Sequence, residues 1–141
     1  MKIDDYLDKL LDLALIAKNN DDIPISAMVI EGQKIIGYGY NTREKEKNIL
    51  GHAEINAIKM ASNYLNSWNL SDCELYVTLK PCSMCLEAIK QSRIKNVYYL
   101  LEKPSNKREF SKTLINCINI DPLRINYERK LSDFFKKLRE K

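Results

Sequence analysis

Apolar side chains recur at Ile3, Leu7, Leu10, Leu11, Ala14 and Ala17, the i, i+3, i+4 rhythm of one helical face. They predict a helix over residues 3–18, which the polar run Asn19-Asn20-Asp21-Asp22 ends. The period then changes. Residues 25–30 and 34–40 are β-rich, and Glu31-Gly32 between them reads as a turn, so the pair is expected as a hairpin. Residues 41–48 are polar, every position from Arg43 to Lys47 is charged, and an exposed loop is expected there. The helical period returns over residues 53–65, with Ile55, Ile58, Ala61 and Leu65 as the core-facing stripe.

Residues 75–79 predict a short buried strand, residues 83–92 a helix with Leu86 and Ile89 inward, and residues 97–101 another strand. Strand, helix, strand with short joints is a βαβ unit, whose two strands run parallel. The polar, basic residues 103–113 read as a loop, residues 115–120 as a fifth strand. Asp121-Pro122 is a cap followed by proline at the first helical position, and Leu131, Phe134, Phe135 and Leu138 give that last helix its apolar face. The order α-β-β-α-β-α-β-β-α implies an α/β fold, one domain over residues 1–141, with helices flanking a central five-stranded mixed sheet.

Composition narrows the class. The 141 residues are 45% apolar and 30% charged, with 4 Gly and 4 Pro, an ordinary globular make-up. No apolar run reaches the ~18 residues of a membrane span, and Met1-Lys2-Ile3-Asp4-Asp5 leads into an acidic stretch instead of a signal core. A cytoplasmic protein is expected. The net charge of +4 is mild, but it gathers at the end in Lys136-Lys137-Leu138-Arg139-Glu140-Lys141. Such a run serves equally as a solvated helix end or as an RNA-contacting tail.

The chemistry lies in two short segments. The single histidine sits in Gly51-His52-Ala53-Glu54, and Pro81-Cys82-Ser83-Met84-Cys85 follows downstream. A Cys-x-x-Cys at a strand-to-helix junction is also a redox pair, and a lone His is usually structural. Together, one His and two Cys make three ligands, the number a catalytic zinc takes while keeping a fourth position for water. Each ligand falls at the start of a predicted helix, where unpaired N–H groups favour a thiolate. Glu54 is placed as the carboxylate that takes a proton from zinc-activated water.

The layout H-x-E followed by P-C-x-x-C is the signature of the zinc nucleobase deaminases. Over nearly its whole length the sequence resembles the bacterial tRNA-specific adenosine deaminases. The matching segments include Asp22-Ile23-Pro24-Ile25, Gly37-Tyr38-Gly39-Tyr40-Asn41, His52-Ala53-Glu54-Ile55-Asn56-Ala57, Leu75-Tyr76-Val77-Thr78-Leu79, Pro81-Cys82-Ser83-Met84-Cys85 and Leu131-Ser132-Asp133-Phe134-Phe135. The resemblance implies a three-layer α-β-α, cytidine deaminase-like fold and one zinc ion per subunit, held by His52, Cys82 and Cys85. It implies that Glu54 carries a proton from the metal-bound water to the purine and then to the departing ammonia. Asn41 would hydrogen-bond the flipped base, and Ala53, Ile25 and Ala27 would shape its pocket. The product would be inosine at the wobble position, the first of the anticodon, typically of an arginine tRNA with an ACG anticodon. A homodimer is implied, with the tRNA anticodon stem-loop running near the subunit boundary. Arg43, Lys103, Phe134, Phe135 and Lys136 are the foremost RNA-contact residues on this reading, with Lys45, Lys107, Arg108, Lys137 and Arg139 as further basic positions.

Three departures from the family pattern stand out. Lys80 replaces the usual Glu before Pro-Cys, Lys103-Pro104 falls in a segment that is usually an RNA-touching loop, and Gly51 replaces Ala, a change with no expected steric effect. Cys73 and Cys117 have no partner at metal spacing and are expected to be incidental thiols. Two alternatives remain at this point. One is a deaminase of free guanine, cytosine or a nucleotide. The other is a small redox or structural-metal module, which would have no use for Glu54.

Overall fold

A computed structural model describes residues 3–102, 114–118 and 121–139. The elements in chain order are α1 (Ile3–Asn19), β1 (Ser26–Glu31), β2 (Lys34–Tyr40), α2 (Arg43–Glu46), α3 (Ala53–Leu65), β3 (Cys73–Leu79), α4 (Ser83–Gln91), β4 (Asn96–Leu101), β5 (Leu114–Cys117) and α5 (Asp121–Arg139). The strands form one sheet in the order β2-β1-β3-β4-β5. β1 pairs antiparallel with β2 and β3, while β3 and β4 run parallel, as the βαβ reading requires, and β5 adds parallel to β4. The sheet is mixed and five-stranded, and its fold is α/β.

Side chains alternate across the pleat, so β1 feeds two cores. Ala27 and Val29 join Leu75, Val77, Val97 and Tyr99 beneath α3 and α4. Met28 and Ile30 join Leu100 beneath α1 and α5, where Leu7, Leu10 and Tyr127 are fully buried. This is the helix-flanked sheet expected from the element order and the three-layer arrangement that the family resemblance implies.

The structure changes four details. The stripe of α3 that touches the sheet is Ala53, Ala57 and Ala61, all fully buried, with Ile58 and Leu65 packing at its margins. The reason is glycine on the facing strand: a Cβ at Gly39 would stand 2.5 Å from Ala53 O and 2.8 Å from Ala57 N. Backbone lies against backbone here, and only small residues fit. Gly39→Ala is therefore expected to push α3 off β2 and to lower thermal stability by about 1–3 kcal/mol, readable in urea unfolding; an unchanged midpoint would contradict the packing.

The charged loop at 41–48 contains the one-turn helix α2. Its first N–H groups are capped by a distant residue: the buried Asp22 carboxylate accepts from Glu44 N–H at 2.8 Å and Lys45 N–H at 3.2 Å. β5 covers Leu114–Cys117 and not residues 115–120; Ile118 lies beyond it, its N–H donating to Tyr99 O. The loop expected at 103–113 lies outside the described residues. Finally, Gly51 is sterically constrained. A Cβ there would come within 2.7 Å of Arg43 N and 2.8 Å of Thr42 C, because Thr42 N–H donates to Gly51 O.

Candidate active site and metal centre

β3 and β4 end at the same edge of the sheet, and α3 and α4 begin there. A cavity of about 400 Å³ opens at this edge, lined among others by Ile25, Asn41, His52, Glu54, Cys82 and Leu131. Ligand sites in α/β sheets form at the carboxyl ends of strands for this reason.

His52 is the N-cap of α3 and Cys82 the N-cap of α4, both with extended backbone. Cys85 follows in the first turn of α4 and is fully buried. Two helix amino termini thus bring the three side chains to one point. His52 Nδ1 lies 3.7 Å from Cys82 Sγ and 3.4 Å from Cys85 Sγ. All three ligand atoms fall within 4.8 Å of one another, the only such group of three His, Cys, Asp or Glu found among the described residues.

The thiols differ before any cation arrives. Cys82 is lowered to about 5, first by a hydrogen bond from Cys85, against the pull of burial, and then by the backbone N–H groups of Cys85 and Met84 and by His52. Cys85 is pushed up by that same hydrogen bond, by burial and by the neighbouring Glu54 carboxylate. One thiolate and one thiol sharing a hydrogen bond beside an imidazole is a donor set for a soft divalent cation, which would hold both sulfurs as thiolates. The residues fit a metal. Cys73, by contrast, is raised to about 11 by burial and then by Glu31 and Asp72. In metal-stripped protein at neutral pH, iodoacetamide is expected to alkylate Cys82 well ahead of Cys73. Equal labelling of the two would contradict the assignment.

Glu54, second residue of α3, is buried at 4% exposure and lines the cavity. Asn41 is equally buried. Its Oδ1 accepts from Arg43 N–H at 3.0 Å and its own N–H donates to Ile25 O, which fixes the amide with Nδ2 as the remaining donor. Asn56 secures the neighbouring turn by donating to Tyr40 O and Thr42 Oγ1, both at 3.0 Å.

Other sequence-derived positions are distributed differently. Ile25 lines the cavity, but Ala27 is fully buried in the core beneath α3, and Ala53 packs against Gly39. Arg43 lines the cavity and pairs with Glu44 at 3.3 Å. Phe134 is buried on α5, seven residues on from Tyr127. Lys136 is exposed on α5. Lys103, Lys107 and Arg108, and the side chains of Phe135, Lys137 and Arg139, lie outside what the structure describes. Sequence reasoning missed Ile23, Leu79, Leu101, Glu102 and Leu131 as cavity residues, and noted Lys80 only as a departure. Lys80 Nζ stands 6.0 Å from the Tyr99 ring.

Comparison with known proteins accords with this geometry. A family model described as MafB19-like deaminase matches residues 1–139. The tRNA-specific adenosine deaminase of Rickettsia bellii (strain RML369-C) is 47% identical over 88 residues, 61% of each chain. The match thus spans about three fifths of that relative's length. The tRNA-specific adenosine deaminase of Buchnera aphidicola subsp. Schizaphis graminum is 35% identical over 145 aligned positions, 96% of each chain. A structure from work on A-to-I editing by tRNA:A34 deaminases at the wobble position of transfer RNA superposes with a TM-score of 0.73 at 28% identity, covering 79% of this chain and 95% of that one. Guanine deaminase from Bacillus subtilis superposes with a TM-score of 0.68 at 26% identity, covering 92% and 94%. The chain belongs to the MafB19-like deaminases and, among them, to the tRNA-specific adenosine deaminase family.

Proposed function

We propose that this protein hydrolyses adenosine to inosine at the first anticodon position of a tRNA, releasing ammonia, with arginine tRNA carrying an ACG anticodon as substrate. The observation that carries the reading is the buried Glu54 carboxylate on the wall of the same cavity as His52 and Cys82, with the buried Cys85 grouped behind them. A structural or redox centre does not need that carboxylate. Zinc, one per subunit, is the metal this donor set favours, and when bound it supplies Lewis acidity that makes water a nucleophile near neutral pH.

The chain's own groups do the rest. Glu54 takes one proton from the attacking water and delivers it to the purine ring nitrogen, then takes the remaining hydroxyl proton of the adduct and delivers it to the amine, so that the C–N bond breaks, ammonia leaves and the carbonyl forms. Asn41 Nδ2 donates to the base. Ile25, Leu79 and Leu131 line the cavity and exclude bulk water from the base. An anticodon-loop base is already partly unstacked, so placing it in this cavity is cheaper than extracting one from a duplex. Arg43, which lines the cavity, and Lys136, exposed on α5, would meet the phosphates, and RNA binding should weaken with salt. A homodimer with RNA near the subunit boundary, in a cytoplasmic setting, completes the reading. Among the described residues no helix is long and apolar enough to cross a membrane.

The likeness to a guanine deaminase structure, at nearly the same identity, favours one second reading, a free-base deaminase. Single-turnover reactions separate the two. Unmodified arginine tRNA with an ACG anticodon is run beside free adenosine, guanine and cytosine. Inosine in the tRNA alone is expected; a consumed free base with untouched tRNA would overturn the proposal.

A further inference from the structure

A helix as short as α2 does not hold itself in water, yet it carries Arg43 of the cavity wall and follows directly on Asn41 and Thr42. The first four N–H groups of a helix have no partner within it. Here all four are met from outside. Thr42 N–H donates to Gly51 O at 2.8 Å and Arg43 N–H to Asn41 Oδ1 at 3.0 Å. Glu44 and Lys45 N–H donate to the two oxygens of the Asp22 carboxylate, at 2.8 and 3.2 Å. Thr42, the N-cap, makes no side-chain cap bond of its own. Asp22 does that work from the other end of the β1–β2 hairpin.

Asp22 is 1% exposed, and a carboxylate is tolerated at such depth only where donors meet it. Its own N–H donates to Ala17 O at 2.9 Å, which fastens it to the end of α1. From there the chain runs along the cavity: Ile23 and Ile25 line it, and Ile25 O accepts from Asn41 N–H at 3.0 Å. Asn41 is thus gripped twice. Its backbone hangs on Ile25, and its side-chain amide hangs on Arg43 N–H, whose place is set by the two N–H groups beyond it that Asp22 holds.

We infer that Asp22 is a positioning residue for substrate, fixing the Asn41 amide and Arg43 at the cavity by clamping the start of α2. With the clamp closed, Asn41 Oδ1 is occupied and Nδ2 is the group left for a base. With it open, Arg43 N–H no longer locks the amide, and Asn41 turns either end to the base. Asparagine at position 22 keeps the volume but sets an amide donor against one of the two N–H groups, so Asp22→Asn opens the clamp without leaving a void.

The effect on turnover rests on the base-binding role of Asn41; the physical link does not, and amide hydrogen exchange reads it. In metal-loaded Asp22→Asn the amide of Arg43, which Asp22 does not touch, is expected to exchange about tenfold faster, together with those of Glu44 and Lys45. In Asn41→Ala only the Arg43 amide should speed up. With arginine tRNA carrying an ACG anticodon, Asp22→Asn should raise KM roughly tenfold, with kcat within about twofold and bound metal unchanged, and should add little to Asn41→Ala. A purely structural role would add the same loss in both backgrounds. Should Asp22→Asn not fold, Asp22→Ser removes the charge without the opposing amide and reads the same Arg43 amide. An Arg43 amide as slow as in wild type, or a KM loss undiminished in Asn41→Ala, would overturn the inference. If wild-type protein edits no tRNA, the functional reading falls, and exchange at Arg43 still decides the link.

Discussion

Replacing Glu54 with Gln leaves the metal bound and lowers kcat by roughly 10²- to 10⁴-fold, the range a lost general acid–base group accounts for. Gln keeps the length and the hydrogen-bonding shape of the side chain, so the buried second position of α3 stays filled. What it loses is a group that accepts a proton and gives it back. His52, Cys82 and Cys85 already form a compact donor set without Glu54, so metal content, measured by elemental analysis, should match wild type. Loss of metal from Glu54→Gln would make Glu54 a ligand and would undo the proton-carrier assignment.

The second large effect is at the sulfurs. Cys82→Ala and Cys85→Ala should each lose the metal and bring activity to background together. A site of three protein ligands has none to spare. Because metal binds the folded chain and not the unfolded one, each variant should also melt close to chelator-treated wild type, without the stabilisation that bound metal adds. Cys85→Ala should melt lower still, since Cys85 is fully buried in the first turn of α4 and its removal leaves a void there. A variant that keeps both metal and turnover would sink the site.

The frame of the fold was readable because its signals are local. The hairpin turns at Gly32-Gln33, one residue on from the Glu31-Gly32 read in the sequence, and the parallel β3–β4 pair follows from a helix lying between two short strands. α2 was not readable, since the carboxylate that caps it, Asp22, lies 22 residues before Glu44. The stripe of α3 was misjudged for a related reason. Large residues look like core in a helix taken alone, but Gly37 and Gly39 on β2 leave room only for alanine. Likewise, Gly51 looks innocuous until Thr42 and Arg43 are seen packed against it.

The candidate donors His52, Cys82 and Cys85 and the Glu54 carboxylate were readable from residue type and spacing; the structure brings the three donor atoms within 4.8 Å of one another, with Glu54 on the wall of the same cavity. The apolar cavity wall was not. Leu79, Leu101 and Leu131 meet only because two parallel strands end beside α5, a long-range fact with no local pattern. Phe134 was readable as part of the apolar face of α5, and it is buried there.

The most direct test of the central claim is a zinc titration of chelator-stripped protein against an arginine tRNA with an ACG anticodon, reading inosine at the first anticodon position. Activity rising from zero and breaking at one zinc per chain is the predicted result. Full editing by metal-free protein, or one zinc bound per chain with neither the tRNA edited nor Glu54→Gln differing from wild type, would contradict it.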